Sequence, residues 1–86
     1  MVPSPMIHES LIIILSAGGS PIDVDTLAGV TGGEVTWQRL EREGMAACLA
    51  ARVRHRDQPI ELRARLRRWG AARGWGVTVA PAGPLC

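Results

Sequence analysis

Asp23, Asp25 and His55 are the acid–base groups from which this chain of 86 residues could assemble catalysis. Two aspartates two positions apart share one face of an extended segment. A histidine near a strand end can exchange protons around neutrality. Catalysis also needs a nucleophile and an orienting group within hydrogen-bond reach, and no spacing in the chain supplies them. The aspartates therefore read as a solvent-facing pair, and His55, two residues before Asp57, reads as part of a solvated turn. Cys48 lies in an apolar stretch with nothing beside it to depress a thiol pKa, so it reads as a small core residue. His8, His55, Cys48 and Cys86 show neither HExxH nor paired CxxC spacing. Gly32-Gly33 lacks the flanking pattern of a phosphate-cradling loop. No catalytic set, metal or cofactor is assigned.

Two other residue classes can make sites. Trp37 and Trp75 suit an interface, where tryptophan is enriched, or a core. Asp23, Asp25, Trp37, His55 and Trp75 are accordingly the candidates for ligand or interface contact. Arg52, Arg54, Arg63 and Arg67 could form a basic face able to meet phosphates. Against that, the net charge is only +2, and Glu34, Glu41, Glu43, Asp57 and Glu61 are interleaved with the arginines. Glu61 and Arg65 also have the spacing of a helical ion pair. Nucleic-acid binding is thus disfavoured. Every basic side chain other than histidine is Arg, and Ala, Gly and Pro abound, a composition that suits a high-GC bacterial genome and carries no functional weight.

The element that must position any site is clearest between Ala46 and Ala80. Met45, Ala47, Leu49, Ala51 and Val53 alternate as one face of a strand. Asp57 or Gln58 can cap the helix that follows, Pro59 fits its first position, and Leu62, Leu66 and Trp69 make its apolar stripe. Gly74 stops it, and Val77-Thr78-Val79 reads as a closing strand. Upstream, Ser4-Pro5 resembles a helix start, so residues 4–17 are expected as a helix ended by Gly18-Gly19, with a strand through Leu11–Leu15 as the rival. Ile22 to Leu27 alternates like a strand. Glu34–Arg42 fits a strand ending at Gly44, although Trp37, Leu40, Gly44, Ala47 and Ala51 also fit a helical spacing. A three-helix, all-α chain is the alternative.

In order, these elements resemble a ferredoxin-like βαββαβ unit without its first strand, that is αββαβ, an antiparallel sheet with helices on one face. The matching residues are Gly18-Gly19, Ile22-Asp23, Val30-Thr31-Gly32, Ala47-Cys48 with Val53-Arg54, Asp57, Leu62-Arg63-Ala64 with Leu66, and Gly76-Val77-Thr78-Val79. They resemble the ACT-like regulatory domains that precede the catalytic domain of phosphoserine phosphatases. The resemblance runs over residues 4–80 and rests on the order and spacing of short motifs. It implies a regulatory module, an amino-acid ligand at an interface, and a partner enzyme. No counterpart of the phosphatase domain is present. Asp23-Val24-Asp25-Thr26 is also similar to the aspartate pair of haloacid-dehalogenase phosphatases, but the pattern fails after Asp25.

One small domain is expected over residues 1–86, with flexible ends at 1–3 and 81–86. A chain this short buries only roughly 60% of its unfolded surface, and with three Trp but no Phe or Tyr its core is thin. Oligomerisation, as a homodimer or larger, would add burial. Leu11–Leu15 is too short for a membrane span, no signal peptide is legible, and two distant cysteines make no disulfide framework, so a reduced cytoplasmic protein is expected. The leading expectation is a non-catalytic module that oligomerises through its sheet. The alternatives are a small enzyme whose site is completed at a dimer interface by Asp23, Asp25 and His55, and an Arg-rich nucleic-acid binder.

Overall fold

The structure is a computed structural model that describes residues 7–18, 21–22 and 24–82. Its elements are β1 (His8–Ser16), α1 (Val24–Thr31), β2 (Glu34–Glu43), β3 (Ala46–His55), α2 (Pro59–Ala72) and β4 (Gly76–Pro81). The strands form one antiparallel sheet in the order β2-β3-β1-β4. The fold is α+β and ferredoxin-like, with both helices on one face. An all-α arrangement is excluded.

Two expectations for the N-terminal half are overturned. Residues 8–16 are a strand, not part of a helix over 4–17, so the first strand of the βαββαβ unit is present and lies at the centre of the sheet. The β-branched run Ile12-Ile13-Ile14 favours extended backbone, and ladders to β3 and β4 on its two sides hold it there. Conversely, the segment expected as a strand from Ile22 to Leu27 enters helix α1 at Val24. Leu27 and Thr31, four apart, form its buried stripe, and Asp25 stands in its first turn, where the helix dipole favours an acid. Thr31 Oγ donates to the carbonyls of Leu27 and Ala28 at 3.0 and 3.1 Å, and Gly32, at φ +62°, ends the helix.

The C-terminal half follows its local signals. Gly44, at φ +60°, is the first of two residues joining Glu43 to Ala46, a position that glycine fills in tight hairpins. Pro59 opens α2 behind Gln58, whose side chain makes no capping bond. The Asp57 carboxylate is engaged elsewhere, accepting from Arg65 at 2.6 Å, so the expected Glu61–Arg65 pair gives way to Asp57–Arg65. At the other end Gly74 has φ +73°, its N–H reaches Ala71 O at 3.2 Å, and Trp75 N–H reaches Gly70 O at 2.9 Å. This is a Schellman stop, and the apolar contact that accompanies it is Trp75 edge-on to Trp69, with centroids 5.1 Å apart. The Arg73 guanidinium covers both rings at 5.0 and 5.8 Å.

The core lies between the helices and one sheet face. Ile12, Ile14, Leu49, Ala51 and Val53 from the central strands meet Leu27, Leu62, Leu66 and Trp69 from the helices, with Ile22, Ala47 and Trp75 completing the cluster. Gly70 permits the close approach of α2 to β4, because a Cβ there would stand 2.4 Å from Val77 Cγ2.

Candidate functional site

Register identifies what the opposite face carries. Side chains alternate along a strand, so the residues between the core positions form the second face of the sheet. Across the central ladder these are the pairs Glu9–Arg54, Leu11–Arg52, Ile13–Ala50 and Leu15–Cys48. β4 adds Ala80 beside Leu11, Thr78 beside Ile13 and Gly76 beside Leu15. β2 adds Glu34 opposite Arg54, then, past an irregularity in the ladder, Trp37 opposite Arg52, Arg39 opposite Ala50 and Glu41 opposite Cys48.

Among the described residues nothing covers this face. Leu15 is 55% exposed and Trp37 48% exposed, while Leu11, Ile13, Cys48 and Ala50 are half-buried only by their neighbours in the sheet. Leu11, Ile13 and Leu15 make a raised apolar ridge along β1. Low lanes of small residues flank it, Ala50 and Cys48 on one side and Ala80, Thr78 and Gly76 on the other. Charge lies at one end of the central strands, where Arg52, beside Leu11, meets Glu9 at 3.3 Å, and along β2, where Arg39 meets Glu41 at 2.8 Å. An antiparallel sheet with one wet face should alternate apolar and polar residues. β1 instead is apolar on both faces from Leu11 to Leu15, the pattern of a strand covered twice.

The acid–base candidates do not come together. Asp23 lies outside the described residues. Asp25 borders a recess of about 380 Å³ at the β2 edge with Val24, Val35, Thr36, Trp37 and Gln38. His55 lines a different recess, with Ile7, Gly32, Gly33, Glu34, Arg54 and Arg56. Trp75 is packed in the core, 9% exposed. Nor do the arginines share a surface. Arg52 and Arg54 stand on the open sheet face, and Arg63 and Arg67 stand on α2, in the layer on the other side.

His55 is not in a solvated turn: it is 2% exposed. Its Nδ1–H donates to the Asp57 carbonyl at 2.9 Å, which leaves Nε2 to accept from the Ser10 hydroxyl at 2.8 Å. His8 stacks on its ring at 5.8 Å. Hydroxyl, imidazole and orienting acceptor thus occur in the order a nucleophile would use. Ser10, however, is 1% exposed, at the floor of a recess lined by Pro59, Ile60, Arg63 and Val79. The group acts as a polar latch joining β1, the end of β3 and the turn into α2. Ser10 was hidden from sequence because its partner is 45 positions away. The ridge Leu11–Ile13–Leu15 was hidden because its residues also fit a helix.

No group of histidine, cysteine and acidic side chains among the described residues is placed to hold a metal ion, and none of the described helices is long and apolar enough to cross a membrane. Comparison with protein-family models, with curated proteins and with solved structures returns no match to this chain.

Proposed function

We propose that this chain is a non-catalytic, ACT-like interaction module that works by docking the open face of its sheet against protein. The observation that supports this reading is the central strand, apolar on both faces while the chain's own helices cover one. The face is large enough for the purpose. Four strands ~4.8 Å apart and up to ten residues of ~3.3 Å give roughly 600 Å² before side-chain relief is counted, against about 800 Å² per partner in a standard interface. In its regulatory form, assembly with itself or with a partner enzyme responds to a small amino acid held where the sheets meet.

The test is light scattering on a size-exclusion column at two protein concentrations, with and without a panel of amino acids. Thiol labelling of Cys48, on the open face, accompanies it. Assembly that slows Cys48 labelling and is lost in Ile13→Glu supports the reading, and a change with one amino acid supports its regulatory form. Assembly that survives Ile13→Glu, with Cys48 labelled as fast as in an unfolded control, overturns it.

A further inference from the structure

We infer that the cover of the open face is a second copy of this chain, related by a two-fold axis that runs parallel to the strands between β1 and β3. This rests on the interaction reading above and adds the partner and its orientation. The sheet order β2-β3-β1-β4 has its midpoint between β3 and β1. Rotation about an axis there lays β1 of one copy over β3 of the other, and β2 over β4. Residues that are lateral neighbours across the central ladder become stacked neighbours between copies, at the same level along the strands.

The open face is complementary to itself under this operation. Ile13 falls over the partner's Ala50 and Leu15 over the partner's Cys48, by the register of the β1–β3 ladder. Over Ile13 and Leu15 the ridge of each copy therefore enters the low lane of the other, and Leu11 falls over the partner's Arg52, on whose aliphatic stem it can pack. Trp37, level with Arg52, Leu11 and Ala80 in the sheet, falls over the partner's Ala80. Charges match as well as sizes, since Arg54 falls over the partner's Glu9. Arg39 and Glu41, which neutralise each other at 2.8 Å, fall over the partner's Thr78 and Gly76.

The competing two-fold axis, across the strands through Ile13, would stack Ile13 on its own copy and Arg39 on Arg39. Ridge would meet ridge and like charge would meet like. A face-to-face packing with strands close to aligned is also an ordinary geometry for two sheets ~10 Å apart. A two-fold interface requires one patch to complement itself, and of these two axes the one along the strands meets that requirement better.

The experiment uses the full chain with Cys48→Ala and Cys86→Ser, carrying one new cysteine at either end of β3, Arg54→Cys or Ala46→Cys. These positions are about 26 Å apart at ~3.3 Å per residue. With the axis along the strands, each meets its own copy at roughly 11 Å, one sheet spacing and one strand spacing combined. A bis-maleimide spanning about 10 Å should then trap a covalent dimer from either variant alone. With the axis across the strands neither variant alone is trapped, and only a mixture of the two is. That result overturns the orientation while leaving docking through the open face intact. Circular dichroism confirms folding of the disruptive variants Ile13→Glu and Thr78→Arg, each expected to raise the dimer dissociation constant roughly 30-fold or more, the scale of a central interface contact. A strictly monomeric chain at every concentration overturns the second copy as occupant. A dimer unaffected by both disruptive variants overturns the open face itself, and with it the interaction reading.

Discussion

The Ser10–His55 hydrogen bond is a buried side-chain pair linking two strands on the helix side of the sheet, and its energetic role can be isolated. Ser10→Ala leaves His55 Nε2 facing the core without its donor, and a buried unsatisfied acceptor costs ~1–3 kcal/mol. The urea midpoint should fall accordingly, with an unchanged slope. Ser10→Ala with His55→Leu removes both partners and should recover part of that loss, because the penalty belongs to the stranded group. If the double variant is as destabilised as the sum of the singles, the pair is uncoupled and the latch has no energetic role. Asp57, by contrast, contributes its carbonyl to His55 and its carboxylate to Arg65, two bonds that one sequence position does not distinguish.

At the scale of the element, the end of α2 is the most tightly specified part of the fold. Gly70 and Gly74 are four apart and do different work. Alanine at 74 must adopt φ near +73°, a strain of about 1 kcal/mol. Alanine at 70 gains helix propensity, about 1 kcal/mol at most, yet its Cβ would press on Val77 Cγ2 at 2.4 Å and approach Trp75 O at 3.3 Å. Val77 is β-branched and stiff, so the strand must shift, and overpacking of this kind costs ~1–3 kcal/mol. Gly70→Ala is therefore expected to be net destabilising in thermal unfolding. Gly70→Ala with Val77→Ala should be milder than Val77→Ala would suggest alone, and additive losses in that pair would refute the steric account.

For the whole molecule, the question is how so small a core holds a four-stranded sheet. One face of the sheet is sealed by two helices, one of them only eight residues long. The other face leaves the ridge of its central strand open. If a second copy supplies the cover, stability is tied to protein concentration by mass action. The melting temperature should then rise over a hundred-fold range of protein concentration and become flat in Ile13→Glu. A wild-type melting temperature independent of concentration would argue that the domain stands alone.

Sequence by itself determined the β3–α2–β4 half, down to Pro59 at the helix start, the stripe Leu62, Leu66 and Trp69, and the stop at Gly74. Those signals are local: a ring that fixes φ, a 3.6-residue period, a residue free to take positive φ. The mixed α+β class was the leading reading of the sequence, with a three-helix chain as its rival, and the ladders between strands excluded the rival. Only tertiary structure decided that 8–16 is a strand and that α1 begins at Val24. An apolar run such as Leu11–Leu15 satisfies helix and strand patterns equally, and the choice is made by ladders to residues about forty and sixty-five positions away. The same ladders decided that Ser10 meets His55, that the arginines divide between two surfaces, and that a ridge of leucine and isoleucine lies open beside two lanes of small residues. Such facts depend on register between distant strands, which no window along the chain contains.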